Sequence, residues 1–228
     1  MSKNFFEIKD VTFAIGGKNK VNDVNISIKN EGDTICILGP SGIGKTTMLR
    51  TIAGLEKINK GEIILKDKVI SSDKIHIEPE KRNIALSFQE NSLFPHYSVD
   101  KNIHLGIKKN SPTDKNIDSK EIIKILNIED VLSKYPHQIS AGEAQRASLA
   151  RSLISQPDLL LLDEPLSNVD QSFKEDIQVA LKQLLNKNKI TTIVVTHDSY
   201  EAFYLGNKCA LVLDNEVKQF DDPYNVYH

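Results

Sequence analysis

The sequence is poor in cysteine and arginine and has no extended apolar stretch, and each scarcity narrows its class. Its two cysteines, Cys36 and Cys209, stand in apolar strand-like segments with no CxxC or Cys/His spacing. That argues against a disulfide scaffold or a cysteine metal centre, and points to buried reduced thiols in a cytosolic protein. Apolar runs such as Leu159–Leu162 fall far short of the roughly 18 residues that span a bilayer, and the N-terminus has no signal-peptide pattern. Any membrane role is therefore expected to be peripheral. Net charge is −2 with lysines dispersed along the chain, so no basic face is expected for a polyanion and nucleic acid is not an expected partner. Arginine occurs four times against 25 lysines, at Arg50, Arg82, Arg146 and Arg151. Each lies close to a segment discussed below, which fits either sites that need a planar fork or chance clustering.

At 228 residues the chain has room for one α/β domain with an inserted subdomain, and two full domains would be cramped. Residues 6–15 and 24–28 alternate apolar and polar around Gly16-Gly17, as half-buried antiparallel strands do. Residues 61–70 read as a hairpin turning at 66–68, and 83–88 as a further short strand. From 89 to 156 the pattern is helical: Ile122, Ile125 and Leu126 share one face, and a polar loop is expected over 108–119. Residues 159–162 and 191–196 are continuously apolar or β-branched, which suits parallel strands buried on both faces. Ile177, Leu181, Leu184 and Leu185 form a helical stripe between them, completing a right-handed crossover. No internal repeat or low-complexity segment is visible.

The segment Gly39, Pro40, Ser41, Gly42, Ile43, Gly44, Lys45, Thr46 sits between the strand-like run 34–38 and the helix-like run 48–53. In that setting it reads as a phosphate-binding P-loop. Its glycines let backbone N–H groups and the helix N-terminus face phosphate, and Lys45 supplies a point charge for the β/γ oxygens. Thr46 is left for Mg²⁺ and Thr47 for the neighbouring phosphate. Asp163 and Glu164 follow the 159–162 run, at the carboxyl end of a buried strand where open α/β sheets bind ligands. Beside a P-loop, Asp163 is expected on the metal through water and Glu164 as base or water-positioner for attack on the γ-phosphate. His197 would emerge on the same edge after the 191–196 run. It is open to two readings, a structural histidine or a contact to the γ-phosphate and attacking water. Ser140 and Glu143 have capping-box spacing ahead of a helix expected over 144–155, and such a helix start is also an anion site.

Together these segments resemble the ATP-binding-cassette ATPases from about Phe5 to His228. Six elements occur in the family's order: the P-loop; Gln89 in 87–96; the signature Ile139-Ser-Ala-Gly-Glu143 with 144–151; Asp163-Glu164-Pro165; Ser167-Asn-Val-Asp170; and His197. The resemblance implies a P-loop NTPase core with an N-terminal antiparallel β subdomain and an inserted helical subdomain. The chain would be one domain over 1–228, with 1–88 and 157–228 as the core and 89–156 as the helical signature part. It also implies a homodimer or heterodimer of such domains sandwiching two ATP, each nucleotide held by one chain's P-loop and the other chain's Ser140 and Gly142. Gln89 would contact Mg²⁺ and the attacking water, and Asp170 would organise the dimer face.

Segments 78–84, 93–99 and 191–198 look like the bacterial importer branch serving sugars, polyamines, ferric iron, sulfate and thiamine. The expected partners are transmembrane permease subunits, gripped through 89–99, and indirectly a substrate-binding protein, at the cytoplasmic face of the cell membrane. A soluble clamp without a permease, or a cassette with weak turnover, is the alternative. Many members of the branch continue into a β-rich regulatory domain, which is not expected within these 228 residues. The sequence departs from the usual Leu-Ser-Gly-Gly-Gln signature at Ala141 and Glu143, and Glu143 adds a carboxylate where a partner's γ-phosphate should sit. Ile15 replaces the aromatic ring that usually stacks on adenine, with Phe13 two residues earlier on the same strand face.

Overall fold

The structure is a computed structural model that describes residues 4–15, 19–88, 93–105, 118–169 and 171–226. Two sheets organise it. The first is antiparallel and four-stranded: β1 (Phe6–Ile15) lies between β2 (Asn19–Ile28) and β4 (Glu62–Leu65), with β5 (Lys68–Ser71) outside β4. The expected hairpin closes through Lys66 and Asp67, both at positive φ (49° and 64°), which gives the twist a two-residue hairpin turn needs.

The second sheet has the order β10-β9-β3-β8-β7-β6, built from β3 (Thr34–Leu38), β6 (Ile84–Ser87), β7 (Leu159–Asp163), β8 (Thr192–Thr196), β9 (Lys208–Leu213) and β10 (Glu216–Asp221). Its five inner pairings run parallel except β9 with β10, which is antiparallel. Alternate residues of the central strands enter two different cores. Ile35, Ile37, Leu159, Leu161, Ile193 and Val195 pack with the antiparallel sheet and with Met48, Leu49 and Ile52 of α1 (Lys45–Ala53). Cys36, Leu160, Leu162, Val194 and Cys209 face the other way, into a helical core. Burial on both faces is why these strands read as unbroken apolar runs. Each fully buried leucine of β7 contributes about 1.5–3 kcal/mol relative to exposure. Both cysteines are free and buried, and burial pushes both thiols up, Cys209 to about 11.

The helical core is covered by α2 (Val99–His104), α3 (Ser119–Ile125), α4 (Ala141–Ile154), α5 (Gln171–Lys187) and α6 (Ser199–Leu205). Helix α4 begins at Ala141, three residues before the expected start at 144, because Ser140 caps it and the first turn is already helical. No helix among the described residues is long and apolar enough to cross a membrane.

Arg82 shows what one arginine in a lysine-rich chain does. It is 3% exposed, and its guanidinium donates to the carbonyls of Thr51, Ile52 and Ile77 and to the Ser71 hydroxyl. Thr51 and Ile52 lie in the last turn of α1, where carbonyls run short of helical donors and Thr51 has the Gly54 N–H at 3.0 Å. The fork thus closes the helix that starts at the P-loop and ties it to β5, a geometry lysine cannot reproduce. Desolvation lowers the guanidinium pKa to about 10. Arg50 also uses its fork, with Nε and Nη2 both on Glu56 Oε1, whereas the buried Nε of Arg146 has no partner.

Candidate functional site

Three neighbouring parallel strands deliver the predicted residues to one sheet edge. In register, Leu38 of β3 pairs with Thr196 of β8, and Val195 pairs with Asp163 of β7. The P-loop, His197 and the Asp163-Glu164 step therefore leave adjacent strands at the same level, with about 4.8 Å between neighbours.

Residues 39–44 turn into α1 through Gly44, whose φ of 103° is a left-handed conformation that a side chain would strain. Gly44 has no side chain to cap α1, so the first-turn N–H groups of that helix are presented to an anion. Lys45 is 5% exposed and its ammonium donates to the Gly39 and Pro40 carbonyls at 2.7 and 2.9 Å. Desolvation lowers its pKa, and the carboxylates of Glu164 and Asp163 oppose that shift. A cleft of about 400 Å³ is lined by Ser41, Gly42, Gly44, Lys45, Thr46, Thr47, Asp163 and Glu164. Among the described residues no group of three or more His, Cys, Asp or Glu forms a metal cage. Burial pulls the pKa of the Asp163 carboxyl up, and the neighbouring Thr46 hydroxyl opposes that pull. One carboxylate beside one hydroxyl suits a hard cation that keeps most of its water.

Glu164 is 9% exposed and sits at φ 48°, an uncommon conformation for a residue with a side chain, at the exit of β7. Its N–H donates to the Val195 carbonyl at 2.8 Å, and its Oε1 lies 2.9 Å from His197 Nδ1. His197 is thus brought onto the catalytic-base candidate, although it is more than half exposed.

Ser140 and Gly142 do not line this cleft among the described residues. They form the start of α4, where Ser140 Oγ accepts the Glu143 N–H at 3.2 Å. Glu143 Oε2 in return accepts the Ser140 N–H at 2.7 Å and its hydroxyl at 2.9 Å. The backbone hydrogen bond from Ser140 is the main cause holding the Glu143 carboxyl below the usual glutamate range, so it is ionised at neutral pH. Phe13 is 1% exposed inside the antiparallel-sheet core, which removes it as a substitute for an adenine-stacking ring. Ile15 pairs with Asn19 through the backbone at the end of β1. Gln89 and Asp170 lie outside the described residues.

Sequence reasoning passed over Gln145. It stands among the buried positions of α4 at 2% exposure, and its amide reaches Glu164, Ser167 and Asn168. A glutamine between buried alanines at 144 and 147 was the available signal.

The family model described as "ABC transporter" matches residues 21–167. An Fe(3+) ions import ATP-binding protein of Fusobacterium nucleatum subsp. nucleatum is 36% identical over 229 residues, covering 100% of this chain and 60% of that protein. A spermidine/putrescine import ATP-binding protein of Pseudomonas aeruginosa is 38% identical, covering 100% of this chain and 62% of its own length. The chain thus spans about three fifths of these relatives. The dimeric ATP-binding cassette MJ0796, in a post-hydrolysis state bound to ADP and Pi, superposes with a TM-score of 0.80 at 28% identity, covering 96% of this chain and 98% of that one. With the family model matching residues 21–167, relatives aligned along the whole of this chain and a cassette structure superposing on its fold, the chain belongs to the ABC transporter family.

Proposed function

We propose that this chain is the ATP-hydrolysing subunit of a bacterial importer, closing in pairs around two Mg-ATP to drive a membrane permease. The observation that carries this reading is the meeting of Lys45, Thr46, Asp163 and the Glu164–His197 pair at one cleft edge. The import direction is supported by the names of the relatives, and pairing by the dimeric neighbour. We assign 1–88 and 157–228 to the nucleotide-binding core and 89–156 to the helical signature part of a single domain.

In this reading the N–H groups of 41–47 and the Lys45 ammonium hold the β and γ phosphates, with the adenine near Ile15. Thr46 and Asp163, together with Gln89, hold the magnesium ion, which supplies charge neutralisation on the phosphate oxygens when bound. Glu164 orients the attacking water and accepts its proton. His197, 2.9 Å from that carboxylate, fixes its direction. Ser140 and Gly142 close on the nucleotide of the second chain, and Asp170 organises the shared face. ATP favours the closed pair, and loss of the γ-phosphate releases it.

A groove of about 540 Å³ beside the edge strand β6 is lined by Ile84, Leu86, Phe94, Leu105 and Arg151, among others. Phe94 and Leu105 are nearly half exposed there, and the Arg151 guanidinium lies 5.8 Å from the Phe94 ring centre. An apolar groove with a cation at its wall suits a short helix of the permease, which would hold the chain peripherally at the cytoplasmic face. The test is purification of the tagged chain from detergent-solubilised membranes of its native cell. Stoichiometric recovery of a multi-spanning protein, with ATPase activity lost in Glu164→Gln, is the expected result. Recovery from the soluble fraction alone would overturn the transport reading, and activity retained in Glu164→Gln would overturn the assigned base.

A further inference from the structure

We infer that Gln145 is a positioning residue that sets the peptide plane of Glu164 and couples it to the signature helix of the same chain. The inference rests on the proposed function and extends it to a residue 19 positions from the base.

The carboxamide is used almost in full. Nε2 donates to the Glu164 carbonyl at 2.8 Å and to Ser167 Oγ at 3.2 Å, while Oε1 accepts the Asn168 N–H at 3.0 Å. One 2%-exposed side chain of α4 therefore grips three residues of the turn that follows β7. The same turn is pressed against α4 at Gly142, where an added Cβ would lie 2.7 Å from the Asn168 carbonyl oxygen. Signature helix and turn are in contact at two points of that helix's N-terminal half.

The grip matters because of the backbone it holds. Glu164 sits at φ 48°, a conformation that costs about 1–2 kcal/mol and persists only where its surroundings enforce it. Val195 holds the N–H side of Glu164, and Gln145 holds its carbonyl together with the Ser167 N–H at 3.2 Å. The direction of the Cα–Cβ bond, and with it the carboxylate on His197, follows from these two anchors.

The test compares the wild type with Gln145→Met, which removes all three hydrogen bonds at similar volume, and Gln145→Glu, which keeps the acceptor for Asn168 but loses the donor to the Glu164 carbonyl. Steady-state ATP hydrolysis is measured together with amide exchange at 167–169. The expected result is a kcat lower by about tenfold to a hundredfold in both variants, the range set by small misplacements of a reacting group. KM for ATP should stay within about twofold, and Asn168 should lose exchange protection in Gln145→Met alone. A folded Gln145→Met with wild-type kcat overturns the inference, and if that variant does not fold, Gln145→Glu decides by the same criterion. Should the wild type itself not hydrolyse ATP, the functional reading fails separately. The tether is then judged by exchange alone: lost protection at 167–169 in Gln145→Met supports it, and unchanged protection overturns it.

Discussion

The P-loop end and the signature end of this chain are both helix N-termini that the proposed function aims at phosphate, yet they are prepared differently. At α1 the cap is Gly44, which has no side chain, and the Lys45 ammonium stands beside it with the Asp163 and Glu164 carboxylates across the cleft. At α4 the cap is Ser140, whose N–H and hydroxyl are both engaged by the Glu143 carboxylate. The first end offers an anion open N–H groups and a cation. The second offers it a helix start whose cap residue is already held by an anion of its own. A capping box stabilises an isolated helix, but in a surface that must receive a phosphate the same carboxylate is a competitor. Under the proposed function, the difference implies that one chain holds nucleotide well on its own P-loop while closing weakly over its partner's.

The largest expected effect breaks the P-loop side. Glu164→Gln keeps the shape of the carboxylate but cannot take a proton, and kcat for ATP should fall by about 10²–10⁴-fold with nucleotide binding retained. Retained turnover would remove Glu164 as the base. Next comes the far end of the same helix. Arg82→Leu takes a donor from the Thr51, Ile52 and Ile77 carbonyls and from the Ser71 hydroxyl, and of these Thr51 keeps the Gly54 N–H. It should cost about 3 kcal/mol, a fall of roughly 6–12 °C in Tm by calorimetry. A shift under a degree or two would show that water replaces the fork at no cost.

On the signature side the effects are smaller and of opposite sign. Glu143→Gln preserves the capping geometry and removes the charge, so ATPase activity should rise about two- to fivefold, the scale of a charge at a helix terminus. Unchanged turnover and unchanged pairing would count against the electrostatic account. The smallest effect is in acid. The Glu143 carboxyl is held below its ordinary 4.5 in the folded chain, so its contribution to stability is complete above about pH 4.5. It is lost as pH falls through the lowered folded value. Melting temperatures between pH 5 and 2.5 should therefore fall less steeply in Glu143→Gln than in the wild type.

Much of the P-loop side was legible because its logic is local. A glycine-rich turn between a buried strand and a helix, and an acidic pair ending another such strand, are chemistry written in consecutive residues. His197 was legible only in part: its position after β8 was plain, but its contact with Glu164 depends on the strand order β3-β8-β7. Arg82 was legible only as one of two open readings, a planar fork or a chance position, and Gln145 was not legible at all. Their partners lie up to 31 and 23 residues away, and the hydrogen bonds exist only once the helices are packed. The β9–β10 hairpin was also passed over, although Asp214 and Asn215, both at positive φ, are turn formers of the kind that close a two-residue hairpin. The start of α4 was misplaced because Ala141 and Gly142 give weak helical signals, while the cap that fixes them lies one residue earlier.

The most direct test of the contrast between the two ends is sedimentation velocity with saturating Mg-ATP, comparing Glu164→Gln with the double variant Glu164→Gln/Glu143→Gln. Hydrolysis is blocked in both, so the measurement reads closure alone. The account predicts that at one concentration the single variant remains largely at the 25.6 kDa of one chain, while the double variant sediments as a pair. Equal pairing by the two, or no pairing by either, would contradict it.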